Sequence, residues 1–355
     1  MKKVCLLLLA IIFLTYGYKA YQVVDAYLND VLKIKVSGNL SEITEKVIPV
    51  PLQIPDSGVV RDVKRVRQDG NNLFMISDNR LLHFNLQGKF INQIARDINE
   101  ENGKFIVEYV LNTHKKQALV IDSERNISTF DYHGNLISSI RIDKPWHKLT
   151  ALIYHDGFLW ATAETLVKNK DNHDSYLIEH KLYQLDMDVN EISSHALRSS
   201  CVGMDRMFSS LLVDELLVDE QGVYAYSTIF DTAILLQDTL YIAQQKKIPL
   251  PNKNTQYCIY PIRKGQRYYL STYYDSITDT GHTFCYDDTK LTAYMLSDGF
   301  RDDFFMTGCV SDFQPMDIYN ESYCFLKSGK QLAKMFPERA KNDDAPVLFI
   351  LKLKA

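Results

Sequence analysis

Short runs of alternating apolar and polar residues, separated by turn residues, fill the chain from Val47 to its last residue. Period-two runs of this length are typical of β-strands that bury one face. No stretch of several turns with the 3.6-residue period of an amphipathic helix stands out downstream of Val47. The pattern therefore predicts a large all-β domain of the sandwich, barrel or propeller type.

An internal repeat favours the propeller among these folds. Residues 72–94 and 117–140 share the order strand, strand, glycine turn, strand, and their turn glycines Gly88 and Gly134 lie 46 positions apart. A period of about 40–50 residues with four strands is that of a propeller blade. Each glycine supplies the positive φ that a tight hairpin turn requires. Looser copies downstream bring the predicted number of blades to six.

The two chain ends are expected to meet in one blade. Val47–Ile54 is strand-like, and its prolines suit an edge strand, where a missing N–H costs nothing. Pairing of this strand with Val347–Lys352 would close the ring and remove a free edge. We therefore expect residues 47–355 to form a six-bladed β-propeller of four-stranded antiparallel blades, closed by its N- and C-terminal strands.

The first twenty residues have the pattern of an export signal. Lys2 and Lys3 precede the apolar run Val4–Leu14, which has the length of a signal-peptide core but falls short of the ~20 residues of a spanning helix. Residues 1–20 therefore predict a cleaved signal peptide or a short retained anchor, and residues 21–46 a spacer. We expect an exported protein of the periplasm or cell envelope, which contacts the membrane only through the N-terminal segment if that segment stays uncleaved.

Cysteine positions narrow this further. Cys5 lies at the start of the apolar run rather than after it, so the chain is not an evident lipoprotein. The domain cysteines form an odd set without C-x-x-C spacing, which indicates neither a zinc site nor a disulfide framework. Two interpretations stay open: small buried strand residues, which we favour, or cross-strand pairs. The residues concerned are Cys201, Cys258, Cys285, Cys309 and Cys324, with Cys309–Cys324 and Cys258–Cys285 as the conceivable pairs.

The charge distribution excludes one class of partner. The formal net charge is −4, and 24% of the residues are charged without a dominant block. A nucleic-acid-binding surface needs a basic stripe that neutralises phosphates, and the sequence has none. We expect no nucleic-acid partner.

Three segments resemble the six-bladed β-propeller proteins exported by Bacteroides-type bacteria, distant relatives of NHL-repeat propellers. They are the strand at Val50-Pro51-Leu52, the blade ends at 82–94 and 131–140, and the C-terminal stretch 342–352. The resemblance spans nearly the whole exported domain, but its motifs are structural and imply a fold more than an activity. It also departs from the family, because many members are lipoproteins.

Candidate metal-binding chemistry is confined to the predicted channel mouth. Metal-dependent propeller enzymes place oxygen and imidazole ligands from several innermost strands around one cation. Asp302-Asp303 is the most suggestive pair, because adjacent carboxylates repel each other unless a cation or an arginine neutralises them. A turn-capping role is the favoured alternative. The channel-mouth candidates are Arg61, Asp62, His147, Arg206, Asp302 and Asp303.

A second feature is the density of tyrosine between residues 257 and 274. Tyrosine suits carbohydrate and peptide surfaces, although packing between blades would consume many of these rings. Tyr268 and Tyr273 are the candidates for an aromatic binding surface.

Two functions remain. The first is a non-catalytic binding or scaffold propeller for a glycan, a peptide or an envelope protein, which we favour. The second is a metal-dependent propeller hydrolase or lyase with its site on the central channel. No catalytic residue and no cofactor is predicted, and calcium is the one ion left open.

Overall fold

The computed structural model describes residues 33–53, 60–96, 105–168, 175–203, 214–219, 222–227, 232–237, 240–245, 257–259, 263–264, 267–275, 280–287, 289–290, 292–319, 321–341 and 346–355. Nearly all regular structure in these ranges is β-strand. The exceptions are helix α1 (Leu40–Ile43) and two 3₁₀ helices, Gly329–Leu332 and Arg339–Lys341. No helix in these ranges is long and apolar enough to cross a membrane.

The strands follow one another in groups along the chain. The N-terminal strands are β1 (Lys33–Lys35) and β2 (Thr44–Pro51). Four groups of four come next: β3 (Lys64–Asp69), β4 (Asn72–Ser77), β5 (Arg80–Asn85) and β6 (Phe90–Arg96); β7 (Ile106–Asn112), β8 (Gln117–Asp122), β9 (Asn126–Asp131) and β10 (Leu136–Arg141); β11 (Lys148–His155), β12 (Phe158–Lys168), β13 (Ser175–Leu185) and β14 (Glu191–Gly203); β15 (Asp214–Asp219), β16 (Gly222–Ser227), β17 (Thr232–Gln237) and β18 (Leu240–Gln245). The remaining strands are β19 (Tyr257–Ile259), β20 (Arg263–Lys264), β21 (Tyr268–Asp275), β22 (Thr280–Asp287), β23 (Thr292–Leu296), β24 (Phe300–Arg301), β25 (Cys309–Val310), β26 (Gln314–Pro315), β27 (Ser322–Lys327) and β28 (Val347–Leu353).

The described strands form an all-β propeller whose blades are four-stranded antiparallel sheets. Blades 1 to 4 are β3–β6, β7–β10, β11–β14 and β15–β18, and the closing blade is β26, β27, β28 and β2. The innermost strands touch in the order β26, β3, β7, β11, β15 and so line a central channel. The sequence correctly predicts both the propeller and its antiparallel blades.

The predicted number of such blades is wrong: five four-stranded antiparallel sheets occur among the described residues, not six. The strands between blade 4 and the closing blade form a six-stranded mixed sheet instead. Two short strands, β19 and β20, both pair with β21, and β1 adds to the far edge in parallel with β23. A parallel partner from the N-terminus gives no repeat signal, which is why the sequence pattern misses it.

Closure by the two chain ends is confirmed. β2 pairs antiparallel with β28, from Thr44 opposite Leu353 to Pro51 opposite Val347, and forms the outer edge of the closing blade. Pro49 and Pro51 therefore lie on an edge strand, where a missing N–H breaks no ladder. The last part of the predicted spacer, residues 33–46, contributes β1, α1 and the start of β2.

Strand alternation builds the core as layers between blades. On β4, Leu73 and Met75 pack toward the closing blade, whereas Phe74 and Ile76 pack toward blade 2. Successive side chains point to opposite faces of a strand, so each second strand supplies two neighbouring layers. Full burial of each such side chain contributes about 1.5–3 kcal/mol, which makes these layers the main source of stability.

The glycine turns of the repeat have one shared geometry. Asn85 Oδ1 accepts hydrogen bonds from two backbone N–H groups around Gly88, and Asp131 Oδ1 does the same around Gly134. Both glycines have positive φ, as the sequence predicts. A third copy begins at Asp186, where Val189 takes the glycine position with φ +65°. Because valine replaces glycine here, the glycine pattern of the sequence does not predict this turn.

Candidate functional site

The channel has two ends, defined by the direction of the innermost strands. We call the face on which β3, β7 and β11 begin the upstream face, and the face on which they end the downstream face. Arg61 and Asp62 precede β3 and His147 precedes β11, so these predicted site residues lie on the upstream face. Arg206 lies outside the described residues.

The upstream candidates Arg61, Asp62 and His147 are exposed. The N–H of Arg61 donates to Ser77 Oγ at 3.0 Å, and the N–H of His147 donates to the carbonyl oxygen of Glu164 at 2.6 Å. Asp62 is exposed in a left-handed conformation. In the part of the chain that the structure describes, no three His, Cys, Asp or Glu side chains come together as a metal-binding group.

Asp302 and Asp303 do not form a channel-mouth pair. Asp302 is buried, and its carboxylate accepts hydrogen bonds from the N–H groups of Phe304, Phe305 and Thr307 and from the Thr307 hydroxyl. It therefore holds together the loop of residues 302–308. These hydrogen bonds agree with the turn-capping alternative for Asp302, and cation binding stays a prediction.

Asp303 fastens the same loop to the N-terminal helix. Its two carboxylate oxygens accept hydrogen bonds from the N–H and the hydroxyl of Ser41 in α1. Burial alone would raise the pKa of Asp303, but the hydrogen bonds from Ser41 outweigh it and lower that pKa below its usual range. Because α1 lies between the edge strands β1 and β2, the contact of Asp303 with Ser41 lies on the outer side of the propeller.

The predicted aromatic surface is not formed by Tyr268, whose side chain is fully buried. Its hydroxyl accepts a hydrogen bond from Arg267 at 2.7 Å, and the Arg267 guanidinium lies 4.8 Å from its ring centre. Arg267 also pairs with the buried Asp287 at 3.1 Å. The Tyr268 ring is therefore buried by packing within the mixed sheet and contributes no exposed binding surface. The side chain of Tyr273 lies outside the described residues.

Neither conceivable disulfide forms. Cys285, Cys309 and Cys324 are all free thiols, which excludes both proposed pairs. Cys309 lies on β25 and Cys324 on β27, and these strands pair with different neighbours. Cys285 and Cys324 are buried strand residues, as favoured from the sequence, whereas Cys309 is exposed. The side chains of Cys201 and Cys258 lie outside the described residues.

A cleft of about 140 Å³ opens on the downstream face, at the end of the channel opposite to Arg61 and His147. Its walls come from the ends of β3, β7 and β11 and from the turn between β26 and β27. The polar and aromatic side chains in these walls alternate with aliphatic ones. The lining residues include Arg67, Gln68, His114, Tyr154, His155, Asp156, Ile318 and Tyr319.

The turn between β26 and β27 crosses the channel. The N–H of Gln68 on β3 donates to the carbonyl oxygen of Met316, and the N–H of Val218 on β15 donates to that of Ile318, both at 2.8 Å. β3 and β15 are separated around the ring by β7 and β11, so residues 316–319 span the channel. These residues together with Glu321 are called the crossing loop. Ile318 packs against the apolar layer between blades 3 and 4.

Asp317 fixes the shape of the crossing loop. Its carboxylate accepts hydrogen bonds from the N–H groups of Tyr319, Glu321 and Ser322 and from the Ser322 hydroxyl, at 2.7–3.1 Å. A carboxylate that collects several backbone donors holds a loop in one conformation. The Tyr319 side chain stays 52% exposed at the rim of the cleft.

An ion-pair cluster lies in the channel wall beneath the cleft. Glu108 on β7 is buried, with Oε2 2.9 Å from Arg65 Nε and Oε1 3.5 Å from Arg67 Nη2. Glu108 Oε1 also accepts the N–H of Tyr109 at 3.0 Å, and Arg67 Nε donates to the Tyr109 carbonyl oxygen at 3.2 Å. Arg65 has φ +51°, at a register shift in the pairing of β3 with β4.

Sequence reasoning missed the whole downstream site. One signal was present: Arg65 and Arg67 are two apart on a predicted innermost strand, and such residues normally share a face. The partner Glu108 is not detectable from spacing, because it comes from another blade.

Comparison with known proteins supports the fold. A structurally similar protein from Bacteroides fragilis, described as exported, is 15% identical over 92% of this chain and 99% of its own, with a TM-score of 0.61. The extracellular domain of a one-component system from B. thetaiotaomicron (11% identity, 70% of this chain, 29% of that chain) has a TM-score of 0.41. The WD40 propeller domain of Doa1 (10% identity, 87% and 96%) has a TM-score of 0.42, and scores this low add nothing to the argument.

No protein-family profile and no curated protein matches the chain. The likeness to the B. fragilis protein rests on fold alone, given its low sequence identity. A specific relationship to NHL-repeat propellers stays a prediction.

Proposed function

We propose that this protein is a non-catalytic binding propeller and that its downstream cleft holds part of a peptide, a glycan or a partner protein. The observation that carries this proposal is the crossing loop, which Asp317 fixes so that Tyr319 stands exposed over a cleft built from several blades. Rigid, half-exposed tyrosines at concave sites are typical binding residues, because they offer a large contact area at little entropic cost.

The location that suits this role is outside the cytoplasm. The export signal predicted in residues 1–20 supports a place in the periplasm or cell envelope. The size of the cleft suits one side chain or one sugar unit rather than a large molecule, since drug-sized ligands fill about 300–1,000 Å³. The cleft would therefore bind a terminal or protruding group of a larger partner.

The test uses a fluorine label at Tyr319. Full-length protein containing 3-fluorotyrosine is screened by ¹⁹F NMR against panels of short peptides and oligosaccharides, with the Tyr319 signal assigned from Tyr319→Phe. We expect at least one ligand to shift this signal. We also expect Tyr319→Ala and His114→Ala to weaken that ligand's binding about tenfold or more, because each removes a contact from a small site.

The matched control is Ile137→Ala, which truncates a similarly exposed side chain on the outer strand β10. It should leave affinity unchanged. Ligand binding that survives both cleft variants would contradict the proposed site. Mass spectrometry of the recovered ligand tests the non-catalytic role, because a chemically altered ligand would indicate an enzyme.

A further inference from the structure

We propose that the Arg67 guanidinium is an anion-binding group and that the downstream cleft recognises a carboxylate. This inference rests on the proposed function and names the chemistry of its ligand. The carboxylate has two sources with the same recognition chemistry: the C-terminus of a peptide and a uronic-acid unit of a glycan.

Arg67 is only weakly paired with a carboxylate. Its side chain is only 17% exposed and lines the cleft, yet its single carboxylate contact among the described residues, Nη2 to Glu108 Oε1, is 3.5 Å long. Nε is occupied by the Tyr109 carbonyl oxygen. A guanidinium has five N–H donors, and those that do not contact Glu108 or Tyr109 are available to a ligand in the cleft that Arg67 lines. A bidentate carboxylate fills two of them at once.

Glu108 lies beside Arg67 but makes its shorter contact with another residue. Glu108 makes its short contact, 2.9 Å, with Arg65 rather than with Arg67. Its Oε1 already accepts the N–H of Tyr109. Arg67 therefore keeps N–H groups for the cleft that it lines.

Available acceptors are scarce in the cleft. Asp317 lines it, but its oxygens accept four hydrogen bonds from the crossing loop itself. Asp156 is 80% exposed and lies 3.3 Å from His155 Nε2. Among the other polar residues, His114 and Tyr319 bring N–H or O–H donors, whereas the Gln68 side-chain amide already donates to the Gly70 carbonyl oxygen at 3.0 Å. A donor-rich site suits an acceptor-only ligand.

The backbone of β3 adds a further observation. Arg65 has φ +51° where the pairing of β3 with β4 shifts register, which is the mark of a β-bulge. Bulges re-aim side chains and occur preferentially next to functional sites. This one falls between the two arginines that meet Glu108.

The experiment compares matched acid and neutral probes by calorimetry on the full chain. The probes are D-glucuronate against its methyl ester, and N-acetyl-Gly-Gly-Tyr with a free against an amidated C-terminus, with inorganic phosphate as a further arm. We expect at least one acid to bind about tenfold or more tightly than its neutral counterpart, as a charge-assisted pair requires. The acid that binds identifies the source of the carboxylate.

Two substitutions separate an anion-binding role from a structural one. Arg67→Gln should weaken acid binding about tenfold, and Arg141→Gln, an exposed arginine on β10, should leave it unchanged. Glu108→Gln should tighten acid binding about threefold or more, because it removes a negative charge beside the site but keeps its shape. A purely structural cluster predicts no gain from this substitution, and a thermal melt verifies that each variant is folded at the assay temperature.

Several results would overturn the proposal: equal affinity for acid and neutral probes, tighter binding of phosphate than of either acid, unchanged acid binding in Arg67→Gln, or no binding of any probe at millimolar concentration. Failure here is distinguishable from failure of the proposed function. A neutral peptide or sugar that shifts the Tyr319 fluorine signal leaves the binding propeller standing and removes only its preference for a carboxylate.

Discussion

Gly88 lies directly against the carbonyl group of Pro51. A Cβ added at Gly88 would lie 2.3 Å from Pro51 O, far inside van der Waals contact. The carbonyl oxygen of Gly88 also accepts the N–H of Gln53 at 2.7 Å. The hairpin turn of blade 1 is thus packed on the end of β2. Gly88 therefore permits both the tight turn and the close approach of the strand that closes the ring.

Gly88→Ala should therefore destabilise the protein by about 3 kcal/mol or more, from left-handed strain and a backbone clash together. Gly157→Ala is the matched control, because Gly157 has φ +86° and no atom within 4 Å of its built Cβ. It should cost only about 1 kcal/mol. Urea denaturation measures both, and equal losses would contradict the contact.

Ser41→Ala should raise the pKa of Asp303, because both oxygens of that carboxylate accept hydrogen bonds from Ser41 and the variant removes one of them. The folded pKa is lowered, so this link stabilises the fold above the unfolded pKa of about 4 and is lost as the pH falls through the folded value. Carboxyl ¹³C NMR titration measures the change. Ser139→Ala, on the outer strand of blade 2, should leave the pKa of Asp303 unaltered.

Asp317→Ala should loosen the crossing loop. Loss of a carboxylate that accepts four hydrogen bonds should cost about 2 kcal/mol and speed hydrogen exchange at the amides of Tyr319 and Glu321. Asp188→Ala, at an exposed turn position of blade 3, is the control and should change exchange only locally. Unaltered protection at Tyr319 would show that other contacts hold the loop.

Cys309 should react with a maleimide in the native protein, whereas Cys285 and Cys324 should react only after denaturation. Cys309 is exposed and the other two are buried. Burial also raises the pKa of the Cys285 thiol, which keeps it protonated. Peptide mapping by mass spectrometry identifies each labelled site. Recovery of a Cys309–Cys324 disulfide from the untreated protein would contradict the structure.

Local signals predicted much of the fold. The alternation on strands such as β4 and the turns at Gly88 and Gly134 express rules that act over a few residues, so the sequence displays them directly. Closure by β2 was predictable because Pro49 and Pro51 restrict that segment to an edge. The turn at Val189 was not predicted, because valine replaces the glycine that marks the other turns although the backbone conformation is the same.

The site was not predictable, because its residues come from different blades and meet only in the folded ring. Arg67 and Glu108 belong to different blades, and the crossing loop reaches β15 from the closing blade. No spacing in the chain encodes such contacts. The sequence shows that Asp302 and Asp303 are adjacent, which is why they were candidate metal ligands. It does not show the hydrogen bonds that their carboxylates accept.

The crossing loop also determines how anything reaches the cleft. Because residues 316–319 span the channel between β3 and β15, they obstruct the channel on this side. A ligand has to arrive and depart through the same opening, so a long partner can insert an end or a protruding group but cannot thread through. In the proposed function, chain ends and side branches are thus the parts of a polymer that the cleft would bind.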